Sequence, residues 1–455
     1  MAGQPLVVAA ERTAAAARPL VVVGVPGDRR VTMFGAAALN AGFAEPVVVP
    51  WLDVLSGRPL DVPAGALVRI DSPGEDPDCD ALLRGPGSPT RVGGGARWHR
   101  TFVRGLNRVR QAADAAGARL CGDVDEIGEL FDKRLCHARL NAAGVPVPAA
   151  LTASLPAPSA LTPASSALTL APSTSPMASS APPPPPAPPP APPPASSASA
   201  PARPIPSPAS FPPSPTSSAP PPLPAPSALA TTIGPPIRIR GYDHLRALMS
   251  AARHPRVFVK PAHGSSASGV VALHAAGARL SATTSVELTP DGHLHNSLTV
   301  RTYTDERDVA TIIDTLAPDG LHVERWFPKA SLDGGVFDLR VVVIDGRPTH
   351  AVARVSRTPM TNLHLGGRRG DLQQVVARLG EPGWRHALDV CARAAACFPA
   401  TPMVAVDLMI GANWRSVAVA EVNAFGDLLP NLTGLPGSGT EDMDTYAAQI
   451  ARFPR

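Results

Sequence analysis

Four short runs of this chain hold residue types that could act on phosphate and carboxylate groups. MVAVDLMI and SVAVAEVNAF carry Asp407, then Glu421 and Asn423, inside apolar stretches. Side chains two apart on a strand share a face, so Glu421 and Asn423 can address one ion together. Asp407 on a neighbouring strand would complete an oxygen-rich set suited to magnesium. An acid in an apolar strand needs a metal or a partner, and for Glu421 the alternative is an ion pair with an arginine. RVFVKPAHGSSASGV delivers Lys260 at the end of a β-rich run, followed by Gly264, Ser265, Ser266 and Gly269. Small residues let backbone N–H groups approach phosphate oxygens, and the lysine supplies charge. A solvated strand-end lysine before a flexible loop is the alternative. In FDLRVVVIDGRPTHAVARVSRTPMTNLHLGG, Arg340 and Arg354 lie on two arms of a hairpin turned at Asp345-Gly346-Arg347. Their guanidinium groups could converge on phosphate or carboxylate oxygens, or merely line a solvated face. Asn362 and Gly366-Gly367 follow, in a loop long enough to close over a site.

These residues need a scaffold, and the pattern supplies one in two styles. Near the start, RPLVVVGVPGDRR, EPVVVPWL and ALVRIDSPGED read as strands, with a helix over VTMFGAAALNAGF and another over RGLNRVRQAADAAG. That is the βαβ rhythm of a parallel sheet. The Gly-Val-Pro-Gly turn does not match the dinucleotide fingerprint GxGxxG. Later, strands dominate: RVFVKP, GVVAL, NSLTVRTY, GLHVERWF, the hairpin and the two acidic runs. Helices fit HLRALMSAAR, DVATIIDTLA and WRHALDVCARAAACF, so an antiparallel sheet with flanking helices is expected.

Between the two styles lies a Pro/Ala/Ser tract, 151–236, which holds 30 of the 56 prolines and one charged residue, Arg203. Such a composition cannot bury enough apolar surface to offset the entropy of ordering, so it reads as a disordered or semi-rigid insertion, with docking to Pro-recognition domains as the alternative. A chain of 455 residues implies two or three packed units. The formal charge is only +4, from 41 basic and 37 acidic residues, and no basic run marks a nucleic-acid surface. The five cysteines form no CxxC pair, which suits reduced thiols in cytoplasm. No basic region followed by an apolar stretch opens the chain, and no apolar run approaches the roughly 20 residues that span a bilayer. A cytoplasmic protein with no membrane or nucleic-acid partner is expected.

The order of the motifs resembles the ATP-grasp superfamily, closest to the branch of glutathione synthetases and the ligases that add glutamate to a ribosomal protein tail. DKRLCHARLNAAGVPVP is similar to the family's Asp-Lys helix ending at a Gly-Val-Pro turn, and FVKPAHGSSASGV to its second lysine and Gly-rich lid. VERWF looks like the strand whose backbone, around Glu324, Arg325 and Trp326, holds adenine. The hairpin with TNLHLGG, then AVDLMI and AEVNAF, complete the series from about Asp123 to Leu432. The resemblance implies an ATP-grasp fold, α/β and α+β. A parallel α/β domain would span 1–125, a nucleotide-covering subdomain 126–150 and 237–330, and a metal-bearing subdomain 331–455. It implies an ATP-dependent carboxylate–amine ligase working through an acyl phosphate. Lys133 and Lys260 would contact ATP, Arg340, Arg354 and Asn362 would serve the reaction, and Asp407, Glu421 and Asn423 would hold magnesium or manganese. A phosphoryl-transferring kinase and a non-catalytic nucleotide-binding scaffold are the alternatives. Partners would be small-molecule or peptide carboxylates and amines, and a homo-oligomer, since relatives are often dimers or tetramers. Where many relatives have a Ser-Pro-Gly-like turn after Glu-x-Asn, this chain has AFGDLLPNL, which puts Asp427 and Asn431 in the acceptor region. His263, His364 and Cys136 stand near these motifs and read as structural.

Overall fold

The computed structural model describes residues 18–74, 76–151, 238–264, 267–426 and 428–454. The Pro-rich tract lies outside them except for Leu151, which is buried and donates its N–H to the Val323 carbonyl at 2.9 Å. That leucine belongs to the packed structure and not to the tract, because its side chain joins an apolar core.

The first layer is β1 (Leu20–Gly24), α1 (Arg29–Asn40), β2 (Val47–Pro50), α2 (Trp51–Ser56), β3 (Leu67–Ile70), α3 (Pro77–Arg84), α4 (Gly95–Ala115) and β4 (Arg119–Leu120). Its four strands pair in parallel, in the order β2-β1-β3-β4. The central strand β1 is buried along its whole length, which is why LVVVG is apolar at every position. EPVVVPWL splits: the strand stops at Pro50 and Trp51 opens α2, its ring fully buried and its Nε1 donating to the Asp71 carbonyl at 2.8 Å. Asp76 caps α3 from its side chain with Pro77 at the first turn, a helix that hydrophobic period alone does not mark.

Two short helices, α5 (Val124–Leu130) and α6 (Lys133–Ala142), lead out of this layer. After the tract come α7 (Tyr242–Ala251), β5 (Arg256–Pro261), β6 (Val271–Ala276), β7 (Arg279–Leu288), β8 (Leu294–Tyr303), α8 (Glu306–Leu316) and β9 (Leu321–Arg325). The strands form an antiparallel sheet in the order β8-β7-β6-β5-β9, with α7 and α8 packed on its apolar face.

The last layer is β10 (Ser331–Leu332), β11 (Gly335–Ile344), β12 (Arg347–Ser356), β13 (Arg368–Gly370), α9 (Leu372–Ala396), β14 (Met403–Ile410), β15 (Val417–Asn423) and α10 (Thr445–Ile450). It is a second antiparallel sheet, β13-β12-β11-β14-β15, with β10 on β11. Phe337, Leu339, Val341 and Val343 of β11 face α9 in the largest core, so Asp338 and Arg340 must face the other way. α9 is broken at Gly380, φ 68°, just before Pro382, so the helix expected from Trp384 onward is its second half. The fold class is thus as expected, mixed α/β with a parallel sheet and antiparallel sheets, but the antiparallel part is two sheets and not one. No helix among the described residues is long and apolar enough to cross a membrane.

Candidate active site

Strand register assembles the acidic face. Arg340 of β11 pairs with Asp407 of β14, Asp407 pairs with Glu421 of β15, and Asp338 pairs with Arg354 of β12. Directly paired residues point to one side of a sheet, so these five groups share a surface, joined by Asn423 two positions beyond Glu421. Their contacts form a continuous network. Arg340 meets Asp407 with Nε 2.5 Å from Oδ1 and Nη2 3.2 Å from Oδ2, and Arg354 bridges Asp407 (3.1 Å) and Asp338 (2.8 Å). Burial disfavours the Arg354 charge, but Asp338 and Asp407 outweigh it and hold its pKa above the ordinary arginine value. The register slips between Asp407 and Leu408, so Ala420 is an extra residue on β15. A bulge leaves such a residue out of the ladder, and here its carbonyl accepts from Lys260 Nζ at 3.3 Å.

The lysines arrive from elsewhere. Lys133 is the first residue of α6, behind Asp132, whose side chain caps the helix through the Arg134 N–H. Its own N–H donates to the Ala262 carbonyl at 2.9 Å, just past β5, which stitches the two lysine-bearing segments together. Its Nζ donates to Glu421 Oε1 at 2.8 Å and to the Gly264 carbonyl at 2.6 Å. Lys260 reaches Glu324 of β9 as well as Ala420. Burial raises the Glu421 carboxyl, yet Lys133, Lys260 and Arg340 outweigh it and hold it below the usual carboxylate range. For Glu324 the same contest, won by Lys260 and His322, brings the carboxyl down to about 2. The alternative of a Glu421–arginine pair is thus not what forms; its partner is Lys133.

These groups surround a cleft lined by Lys133, Lys260, Gly264, Glu324, Arg354, Asn362, Asp407 and Glu421. An adjoining, wider cleft shares Gly264, Arg354, Asn362 and Glu421 and adds Arg340, Asn423 and His364. Its far wall is Asp28, Arg30 and Ser72, at the C-terminal ends of β1 and β3, where open parallel sheets place their ligands. Gly264, with φ 147°, sits where a side chain would be strained, and its carbonyl is the one that Lys133 holds.

Other expected residues are not brought to the cleft. The Arg325 N–H is taken by the Ala149 carbonyl and the Trp326 N–H by the Arg256 carbonyl, so those two amides are used within the sheet. Gly269 packs against Pro261 and Val92, where a Cβ would come within 2.7 Å of each. His263 lies behind the cleft, its Nε2 3.0 Å from Asp132 and its ring stacked on His99. Cys136 is buried, which pushes its thiol up to about 12, and Asn431 is exposed. Ser265, Ser266 and Asp427 lie outside the described residues.

Lys329, Asp338 and Thr361 also line the first cleft, and motif and spacing did not single them out. Lys329 donates to the Pro359 carbonyl at 2.9 Å and to Thr361 at 3.3 Å and lies 3.9 Å from Asp338. Its burial lowers the ammonium's pKa despite Asp338. Asp338 is accessible to the period-2 argument, being two residues before Arg340, whereas Lys329 lies between strands, where no periodicity marks a face.

The donor set suits a hard divalent cation. Asp407, Glu421 and Asn423 offer oxygens on one face, and Asn423 spends its Nδ2 on the Ala405 carbonyl at 3.4 Å. Asp407 Oδ1 is buried and accepts no aligned hydrogen bond, the nearby Arg340 Nε included. Around the first cleft Lys133, Lys260, Lys329 and Arg354 balance Glu324, Asp338, Asp407 and Glu421, and in the second Arg30 and Arg340 against Asp28 leave one cation in excess, a set that can receive a polyphosphate.

No family model matches the sequence, and no curated protein matches it. Among solved structures, the chain is similar to the ATP-grasp ligase PsnB complexed with a phosphomimetic variant of its minimal precursor, Mg and ADP. There the identity is 14%, the coverage 95% of this chain and 97% of that one, and the TM-score 0.45. It is also similar to the D-cycloserine synthetase DcsG, at 15% identity, 95% and 98% coverage and a TM-score of 0.45. The D-alanine–D-alanine ligase of Bacillus anthracis complexed with ATP gives 13%, 95% and 95%, and 0.39.

Proposed function

We propose that this chain is an ATP-dependent carboxylate–amine ligase of the ATP-grasp kind, with ATP in the first cleft and the substrates in the second. The observation that carries the reading is the convergence of Lys133 and Lys260, from two distant segments, on the face that bears Asp407, Glu421 and Asn423. Two ammonium groups and an oxygen-rich face within one cleft suit a triphosphate, and the adjoining cleft leaves room for a small-molecule or peptide carboxylate and an amine. The resemblance in motif order supports the same division of the chain into a parallel α/β domain, a nucleotide-covering subdomain and a metal-bearing subdomain.

In this reading Lys133 and Lys260 leave their carboxylates to meet phosphate oxygens, and Arg340 and Arg354, locked by Asp407 and Asp338, stabilise charge on the transferring group. Asn362, shared by both clefts, orients the group in transit. Magnesium held by Asp407, Glu421 and Asn423 would neutralise phosphate oxygens when bound. The substrate carboxylate takes the γ-phosphoryl group with release of ADP, and the amine then displaces phosphate to give the amide. The reading is tested by calorimetric titration of Mg-ATP into the full chain and into Lys260→Ala and Glu421→Gln, followed by product analysis with carboxylate and amine pairs. Saturable, magnesium-dependent binding that is lost in Lys260→Ala, with ADP and an amide as products, supports it. Absence of binding by folded wild-type protein overturns it, and a phosphoester product would make the protein a kinase.

A further inference from the structure

One cluster beside the first cleft shares only Glu324 with that reading. His137 lies one helical turn after Lys133 on α6, and His322 and Glu324 share a face of β9. Ligand atoms of all three lie within 4.8 Å of one another, and the two imidazole rings are 4.7 Å apart. We propose that His137, His322 and Glu324 form a second cation site, separate from the oxygen face, that takes zinc or a similar borderline transition metal.

The hydrogen bonds around the cluster orient it. His137 Nε2 is 2.7 Å from the Pro148 carbonyl, which can only accept, so Nε2 carries the proton and Nδ1 keeps a lone pair for a metal. A ring N–H given to a backbone carbonyl is the outer contact that metal-ligating histidines use. His322 Nε2 and Glu324 Oε2 face each other at 3.3 Å, about the separation of two ligands on one tetrahedral ion with bonds near 2 Å. Lys260 holds the other oxygen, Oε1, and leaves Oε2 to the histidine side. The ammonium is also a competitor, so a cation must draw Glu324 partly away from it. A narrow gap lined by Leu130, Lys133, Cys136, His137, His322 and Glu421 adjoins the cluster, with room for about one water as a fourth ligand. Two imidazoles and one carboxylate are a softer set than the all-oxygen face and should select against magnesium.

The probe is Co2+, then Zn2+, titrated alone into the chelator-stripped full chain in excess Mg2+, with calorimetry and visible absorption. The expected result is one saturable site with the visible bands of four-coordinate cobalt, unaffected by magnesium. It should be weakened at least about tenfold in His137→Ala and in His322→Ala and retained in Glu421→Gln, with thermal melts confirming that each variant is folded. No saturable binding by the wild-type chain overturns the site. So does binding that both histidine variants keep, or that Glu421→Gln loses.

Discussion

The two walls of the first cleft hold their charges in different ways. On the six-stranded wall Asp338, Arg340, Arg354, Asp407 and Glu421 stand at paired positions on four neighbouring strands, so the backbone ladder fixes each group relative to the next. On the opposite wall the charge comes on long stems, with Lys260 reaching from β5 to Glu324 and Ala420, and Lys133 reaching from the start of α6 to Glu421. The fixed wall suits positioning and the long-stemmed one suits exchange. A lysine can change partners by side-chain rotation alone, whereas moving Asp407 would mean breaking a sheet.

The sharpest way to break this contrast is to remove charge from the fixed wall. Glu421→Gln should lower turnover on the order of 100-fold or more while the fold persists, measured as ADP release with a circular-dichroism control. Near-wild-type turnover would remove Glu421 from the reaction. Asp407→Ala leaves Arg340 and Arg354 buried with half of their partners gone, and should cost about 3–5 kcal/mol in denaturant unfolding. A loss below about 1 kcal/mol would show that the fixed wall does not depend on this carboxylate.

The long-stemmed wall should respond differently. Lys260→Met leaves the buried Glu324 carboxylate with His322 alone, so stability falls, and nucleotide affinity falls with it, at least about tenfold by calorimetry. Loss of stability with unchanged affinity would make the lysine structural. Acid provides a third comparison, through the cap that aims Lys133. Burial raises the Asp132 carboxyl, but His263 and Arg134 outweigh it and hold it well below its ordinary value of 3.8. Below 3.8 the unfolded chain binds the proton first, so the stability that this group contributes is complete above that pH and is lost as pH falls further. Arg134→Leu should move that loss to higher pH in acid-unfolding curves, and an unchanged curve would discount the pair. The smallest effect is expected at Gly264→Ala, about 1–2 kcal/mol of backbone strain together with weakened nucleotide binding, because the Gly264 carbonyl anchors Lys133.

Much of the fixed wall is legible in the amino-acid sequence, because strand periodicity is local. MVAVDLMI and SVAVAEVNAF place Asp407, Glu421 and Asn423 by the period of two, and the same count reaches Asp338 from Arg340. The other wall is less so. Nothing local distinguishes an amide free for a ligand from one already used, as those of Arg325 and Trp326 are by their hydrogen bonds to Ala149 and Arg256. Lys329 carries no signal at all, since it follows Pro328 in a connection between strands.

The sequence by itself thus determined which residues of the fixed wall are strand-borne and which face they share. Tertiary structure decided which faces meet. The Lys133 N–H bond to Ala262 joins segments separated by the whole Pro-rich tract, and the extra residue at Ala420 turns a carbonyl toward Lys260. Such contacts depend on how sheets pack and on where a ladder slips by one residue, and those are properties of pairs of segments that no single segment encodes.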